Sequence, residues 1–573
     1  VRPLLVGEPA PFAAEVHHEA LADGALLVRL TLVAERAAVP PPIALEWRWP
    51  LCDTVCLWST ASGRSKGVPA AGWGPLRVRA RATSEAPVVC AVSGAGENRI
   101  AIACADVLHL VEIEAGVVEE TGEIACRIGL FGEPRAPAGR FEVTVRIDRR
   151  AIRYEEALAA AATWWASLPG CAPTPVPEAA REPMLSTWYS FHQRLDPAAV
   201  ETECRLARDL GMRAVILDDG WQTLDAGRGY AFAGDWEPER IPDLRGHVDR
   251  IHAAGLKVLL WYSVPFVGVK SRAYDRFRDR ILHHMGGDWG AAVLDPRHAD
   301  VREYLIGTWE KAMVDWDLDG LKLDFVDRFA MQEDSSQGSG DLMEAVDRLL
   351  RDAMDRLRRV RPDALVEFRQ PYIGPLMRRY GNMFRARDCP ADLVKNRISV
   401  LDVRMLAGDT AVHSDMLMWH PDEPVESAAL QLLAVLFAVP QISVRLDRLP
   451  PPHSAMLRHW LAVWRDHRDV FVGGELCAVS PELGYPAAWA RRGEELVAAV
   501  YADVVLRVPS VRHLLVANAT RGDRVVLELE RATAGHLRVR DAIGRSVTDE
   551  ARNFAAGVQR ISVPPAGLLE LDT

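Results

Sequence analysis

The spacing of apolar positions along the chain changes twice. Between residue 1 and about 150, short runs that alternate apolar and polar residues are separated by turn residues: ALLVRLTLVAE (25–35), NRIAIACADVLHLVEIEAG (98–116) and GRFEVTVRID (139–148). A period of two puts every second side chain on one face, so this region is predicted to be an antiparallel β-sandwich. A helical stretch at 154–168 follows, and the Pro-rich PGCAPTPVPEAAREP (169–183) marks a boundary. From 184 onward short apolar segments alternate with amphipathic helices, the pattern of parallel β/α units. One of these helices is punctuated at both ends, by Asp196 as N-cap with Pro197 at the first helical position and by Gly211 as its stop. Strand candidates begin at 184, 213, 256, 320, 364, 382, 410 and 440, and eight of them in one stretch predict a closed (β/α)8 barrel. No GxGxxG or P-loop follows any of them, which speaks against a dinucleotide-binding sheet. After a helix at 453–470 the alternating runs return (494–501, 513–519, 523–530, 536–542, 567–572) and predict a small antiparallel β domain. The expected organisation is a sandwich with its linker helix over 1–170, a barrel over 171–470 and a C-terminal β domain over 471–573.

Composition narrows the function classes. The 573 residues carry a formal net charge of -11, with 49% hydrophobic and 26% charged residues, as in a water-exposed globular protein. No uncharged apolar run of bilayer length is present, so no membrane partner is expected. An acidic balance also disfavours nucleic acid, because phosphate binding draws on clustered Lys and Arg. The nine cysteines are scattered without the spacing of a disulfide scaffold or a zinc site, and no charged-then-apolar leader precedes the alternating runs; a reduced, cytoplasmic setting is the expectation, with secretion left open. Homo-oligomer formation is also left open.

Candidate chemistry gathers where barrel enzymes keep it, at the C-terminal strand ends. GLKLDFVD (320–327) places Lys322 and Asp324 on one face of an otherwise apolar strand, where charges are costly unless paired or used. The other ends supply Trp188 and Tyr189; Asp218, Asp219 and Trp221; Trp261 and Tyr262; Glu367, Arg369, Gln370 and Tyr372; Arg385, Arg387 and Asp388; His413, Ser414 and Asp415; and Arg445. Carboxylates, arginines and indoles in one lining suit a polyhydroxylated ligand, whose hydroxyls bond to carboxylates and whose C–H faces rest on rings. Two carboxylates flanking a small neutral substrate are the apparatus of glycoside hydrolysis, and Asp324 and Asp388, on the fourth and sixth strands, are the candidate pair. No metal and no cofactor is expected: Asp218, Asp219 and Asp415 could hold a hard cation, but the nearby lysine and arginines compete for them.

The order WY (188–189), LDDGW (217–221), LLWY (259–262), KLDF (322–325) and RARDCPAD (385–392) resembles the clan D glycoside hydrolases, and most closely glycoside hydrolase family 36, the α-galactosidase family. The resemblance covers about 184–446 and agrees with the layout of β domain, barrel and β domain. It implies a retaining enzyme acting on a small carbohydrate, with Asp324 as nucleophile and Asp388 as general acid/base. It further implies that Asp218 and Asp219 bind the O4 and O6 hydroxyls, that Lys322 binds a neighbouring hydroxyl and that Trp261 forms part of the wall. Trp221, Glu367, Arg369, Gln370, Tyr372, Arg385, His413 and Asp415 complete the expected substrate-binding set. The fifth strand departs from the family: its members carry a Cys and a Gly-rich run beside the sugar's 2-position, whereas this chain has VEFRQPYIGP (366–375).

Plainer readings stand beside these. Lys322 with Asp324 could be a structural ion pair, Asp388 could merely pair with Arg385 or Arg387, and His413 could be a satisfied strand-end histidine. His283, His284 and the SSQGSG stretch (335–340) read as surface or lid. Three functions follow: an α-galactosidase, an α-glycosidase or transglycosylase for another sugar, and a catalytically inactive carbohydrate-binding protein.

Overall fold

The computed structural model describes residues 3–61, 75–331 and 340–573. Of the stretch read as a lid, 335–339 lies outside the described residues. The N-terminal runs form two antiparallel sheets of five and six strands. Their inward residues, among them Val28, Leu30, Trp47, Ile102, Ile113, Ile128 and Val145, make one apolar core between the sheets. The helix Tyr154–Ser167 then leads away from the sandwich. It is pinned to it by Trp165, whose indole Nε1 donates to the Cys104 carbonyl at 2.8 Å.

Eight strands close the barrel in sequence order: Met184–Ser186, Ala214–Leu217, Lys257–Ser263, Gly320–Asp324, Leu365–Arg369, Met383–Arg385, Ala411–Leu417 and Val439–Ile442. Every neighbouring pair is parallel. The fold expectation therefore holds. The cap reading holds too: Asp196 accepts from the Ala198 and Ala199 amides at the start of Pro197–Asp209. Gly320 admits the fifth strand, since a β-carbon there would lie 2.0 Å from the Leu365 carbonyl oxygen. Beneath the barrel the turn Glu178–Arg181 puts Ala180 among Met184, Ala214, Ile216, Leu259, Leu365, Met383 and Ala411 and closes the floor.

Some details differ from the sequence reading. The first strand stops at Ser186 and a helical turn, Trp188–Phe191, carries the WY pair over the mouth. Between the third and fourth barrel strands the chain makes a separate three-stranded sheet from Phe266–Gly268, Ala291–Leu294 and Ile281–His284. The fourth strand ends at Asp324, and Phe325 takes a left-handed conformation (φ 65°), so the expected alternation stops one residue short of Phe325. The C-terminal region is not wholly antiparallel. Glu495–Val500 pairs in parallel with His513–Asn518, because the intervening Val505–Arg507 crosses to a second sheet, where it pairs in parallel with Arg524–Leu529.

Candidate active site

The mouth is built outward from the second strand. Gly220 (φ 111°) lets the LDDGW turn fold tightly, and a β-carbon there would meet the Gln193 backbone at 2.5 Å. That close approach brings Gln193 onto Asp219. The amide Nε2 of Gln193 donates to Asp219 Oδ2 and that of Gln222 to Oδ1, both at 2.7 Å. The Asp218 amide is held by Thr187 Oγ1 at 2.9 Å, and the Asp218 carboxylate accepts from Lys322 Nζ at 2.5 Å. Lys322 and Asp218 are both buried, so each charge depends on the other; removing one partner of such a pair costs roughly 3–5 kcal/mol. Burial lifts the Asp219 pKa to about 6 against the pull of the two amides.

Asp324, at the end of the fourth strand, is the most heavily engaged carboxylate in the mouth. Its Oδ1 accepts from Arg369 Nε (2.7 Å), Tyr372 Oη (2.5 Å) and the Phe325 amide (2.8 Å). Oδ2 accepts from Trp261 Nε1 at 3.1 Å. The left-handed turn at Phe325, which costs about 1–2 kcal/mol, is what aims that amide back at the carboxylate. Burial would raise its pKa, but the charges of Arg369 and Lys322 outweigh burial and hold Asp324 below the ordinary carboxylate range. It is an ionised carboxylate with one saturated oxygen and one carrying a single donor.

Asp388 lies past the sixth strand with its side chain half exposed, and accepts from Arg385 Nη2 at 2.9 Å. Behind it Asp415 takes the other end of Arg385, the Tyr189 hydroxyl (3.1 Å) and the Cys389 amide (2.6 Å). Asp392 caps the next helix through the Lys395 amide and fixes the far end of the loop. Partial burial opposes ionisation of Asp388, but Arg385, Arg369 and Lys322 together hold its carboxyl well below the usual range. Asp415 is pushed up to about 6 by burial, with Arg385 opposing.

Hydrogen bonds thus join Asp218, Asp219 and Lys322 in one group and Asp324, Trp261, Arg369 and Tyr372 in another; the charge of Lys322 couples the two, and the charges of Arg385, Arg369 and Lys322 reach Asp388. Gln370 ties the fifth-strand turn to the sixth-strand loop, its Oε1 accepting from the Arg387 amide at 3.1 Å. Five expected contacts are placed elsewhere. Trp221 is fully buried behind the wall, where its Nε1 donates to the Trp261 carbonyl and its ring packs on Trp236, Tyr262 and Trp316. Glu367 is sealed inside the barrel, taking a hydrogen bond from Gln441 and facing Arg385 at 3.5 Å. His413 points at the floor, with Nε2 2.8 Å from the Ala180 carbonyl, and burial lowers its pKa to about 4, so it is neutral. Arg385 and Asp415, both buried, support Asp388 rather than face the opening. Arg445 is a structural partner of Glu203 and Asp447.

Sequence reasoning missed Gln193, Gln222, Thr187 and Tyr230. Gln222 directly follows LDDGW and was within reach of that motif. Tyr230 comes from the loop after it, stacking on Trp261 at 6.0 Å and meeting Phe325 edge-on at 5.1 Å. No pattern marks such a loop residue.

A family model, Melibiase, matches residues 177–367. Alpha-galactosidase 2 of Pediococcus pentosaceus is 28% identical over 195 residues, 32% of this chain and 27% of that protein. Alpha-galactosidase Mel36A of Lactobacillus acidophilus is 25% identical over 153 residues, 26% of this chain and 20% of that one. The matched segment thus spans about a quarter of the length of these curated relatives. Among solved structures, the galactosidase domain of alpha-galactosidase-sucrose kinase AgaSK superposes with TM-score 0.67 at 13% identity, covering 98% of this chain and 80% of that one. A variant of the GH36 alpha-galactosidase AgaA from Geobacillus stearothermophilus in complex with raffinose gives 0.64 at 15%, covering 100% and 86%. The chain is therefore similar to GH36 α-galactosidases, in sequence over the first half of its barrel and in fold throughout.

Proposed function

We propose that this protein is a retaining α-glycoside hydrolase of the α-galactosidase type, with Asp324 as nucleophile and Asp388 as acid/base. The observation that carries the reading is the state of Asp324: a buried carboxylate, held ionised by Arg369 and Lys322, with Oδ1 fixed by three donors and Oδ2 engaged by one. Such a group is oriented for attack through Oδ2. In the first step an Oδ2 lone pair forms a bond to the anomeric carbon, the bond from that carbon to the leaving oxygen breaks, and Asp388 gives that oxygen its proton. In the second, Asp388 removes a proton from water, the water oxygen bonds to the anomeric carbon, and the ester to Asp324 breaks, so configuration is retained. Asp218, balanced by Lys322, and Asp219, oriented by two neutral amides, accept hydroxyls of the bound sugar, and Trp261 steadies Oδ2 of Asp324 through its indole N–H.

The test is hydrolysis of an aryl α-galactoside by Asp324→Asn. Turnover falls by at least about 10³-fold, as expected when a nucleophile is removed. Circular dichroism is unchanged. A variant that keeps substantial activity sinks the assignment.

A further inference from the structure

The fifth-strand turn puts a guanidinium on the nucleophile with part of its hydrogen-bonding capacity unspent. Arg369 reaches Asp324 through Nε and the Gln370 carbonyl through Nη1 (3.1 Å), while Nη2 makes no hydrogen bond among the described residues. Its guanidinium packs against the Phe325 and Tyr372 rings, 5.2 and 5.5 Å from their centroids, so its direction is fixed and not that of a loose surface arginine. Because Nε lies 2.7 Å from the nucleophile's Oδ1, the rest of this guanidinium stands beside the carbon that Asp324 attacks, and the nearest sugar substituent that is not the leaving group is the one on carbon 2. A second guanidinium stands in the adjoining loop: Arg387, held to Gln370 through its amide, has a buried Nε without a hydrogen-bond partner.

We propose that Arg369, positioned by Tyr372 and Phe325, forms a subsite for an anionic substituent on carbon 2 of the sugar, so that the preferred substrate is an α-hexoside bearing a sulfate ester there. This rests on the glycosidase reading and names its substrate class. The acid/base supplies an independent reason. With no ligand bound, Arg385, Arg369 and Lys322 strip Asp388 of the proton it must donate, and a neutral sugar leaves all three cations acting on it. An anion on Arg369 offsets one of them and lets Asp388 recover its proton as the substrate binds. The groups facing Arg369 are Asp324, Tyr372, Asp388 and Asp327; burial raises the Asp327 pKa, which weakens it as a competing anion.

The experiment compares 4-nitrophenyl α-galactopyranoside with its 2-O-sulfated form, on the full chain and on Arg369→Met and Arg369→Lys. The native protein favours the sulfated glycoside in kcat/KM by at least about tenfold, the worth of one charge-assisted bond. Arg369→Met collapses that ratio to near one, and Arg369→Lys keeps part of it. A native ratio at or below one, or a ratio unmoved by Arg369→Met, overturns the proposal. Binding of galactose 2-sulfate and galactose to the native protein, followed by calorimetry, gives the same discrimination without turnover and keeps the Asp324–Arg369 pair intact. A preference for the sulfate there, lost in Arg369→Met, upholds the subsite even if neither glycoside is hydrolysed; that failure would count against the glycosidase reading instead. Equal binding of the two sugars overturns the subsite.

Discussion

Asp219 and Asp324, on the two sides of the barrel mouth, are held by opposite means. At the second strand, Asp219 is held by the neutral amides of Gln193 and Gln222, and its pKa stays near 6. Across the mouth, Arg369 and Tyr372 of the fifth-strand turn clamp Asp324 and hold it ionised. One residue type therefore serves two tasks. Amides orient a carboxylate and leave it able to accept hydroxyls, whereas a guanidinium fixes its charge. The Melibiase match ends at Glu367, so the two sides also differ in kinship: the first lies inside the matched sequence, and the turn that clamps Asp324 begins just beyond it.

The largest blow to this contrast after loss of the nucleophile is Asp388→Asn. It removes the acid and base on the unmatched side, and kcat should drop by about 10²–10⁴-fold. The loss should be smallest for aryl glycosides, whose leaving groups depart without a proton. A uniform loss across leaving groups would mean that Asp388 merely anchors Arg385. Next comes Lys322→Met, which strands Asp218 as a buried, unbalanced charge. Unfolding should become easier by roughly 3 kcal/mol, with activity lost in parallel. An unchanged melting temperature would show that the second-strand side does not depend on its cation. The smallest effect is a pH dependence. Protonation weakens Asp219 as an acceptor of sugar hydroxyls and of the Gln193 and Gln222 amides, so KM should rise severalfold as pH falls through about 6, and Asp219→Asn should abolish that limb. Asp415 titrates in the same range, so a limb surviving in Asp219→Asn belongs to Asp415 and its partner Arg385. The same shift predicts that burying Asp219 costs stability as pH rises from 3.8 toward 6, because the folded state binds the extra proton there.

All eight barrel strands were legible in the sequence because each is a short apolar run between a helix stop and a polar strand end. Height along the barrel axis was not. Alternation reports which face a side chain takes, but each residue of a strand advances about 3.3 Å. His413, third in Ala411–Leu417, therefore sits at the floor, and Glu367, two residues before Arg369, is sealed inside, though both share a face with residues nearer the opening. Trp221 misled for another reason: an indole after LDDGW fits a sugar platform as well as a wall, and only packing against Trp236 and Tyr262 decides between them. The departure at EFRQPY was visible as a difference, but its consequence, a guanidinium and a phenol on the nucleophile, depended on a turn whose path no periodicity encodes.

The turn Glu178–Arg181 beneath the barrel bears on how portable this catalytic unit is. It belongs to the Pro-rich connection from the sandwich, yet it supplies the Ala180 methyl to the lowest apolar layer and the Ala180 carbonyl to His413. A barrel cut at its first strand would lose its base plate and leave a buried imidazole without an acceptor. The unit that can be inherited, transplanted or expressed alone therefore starts before the first strand, and the Melibiase match, beginning at 177, takes in that base plate whole.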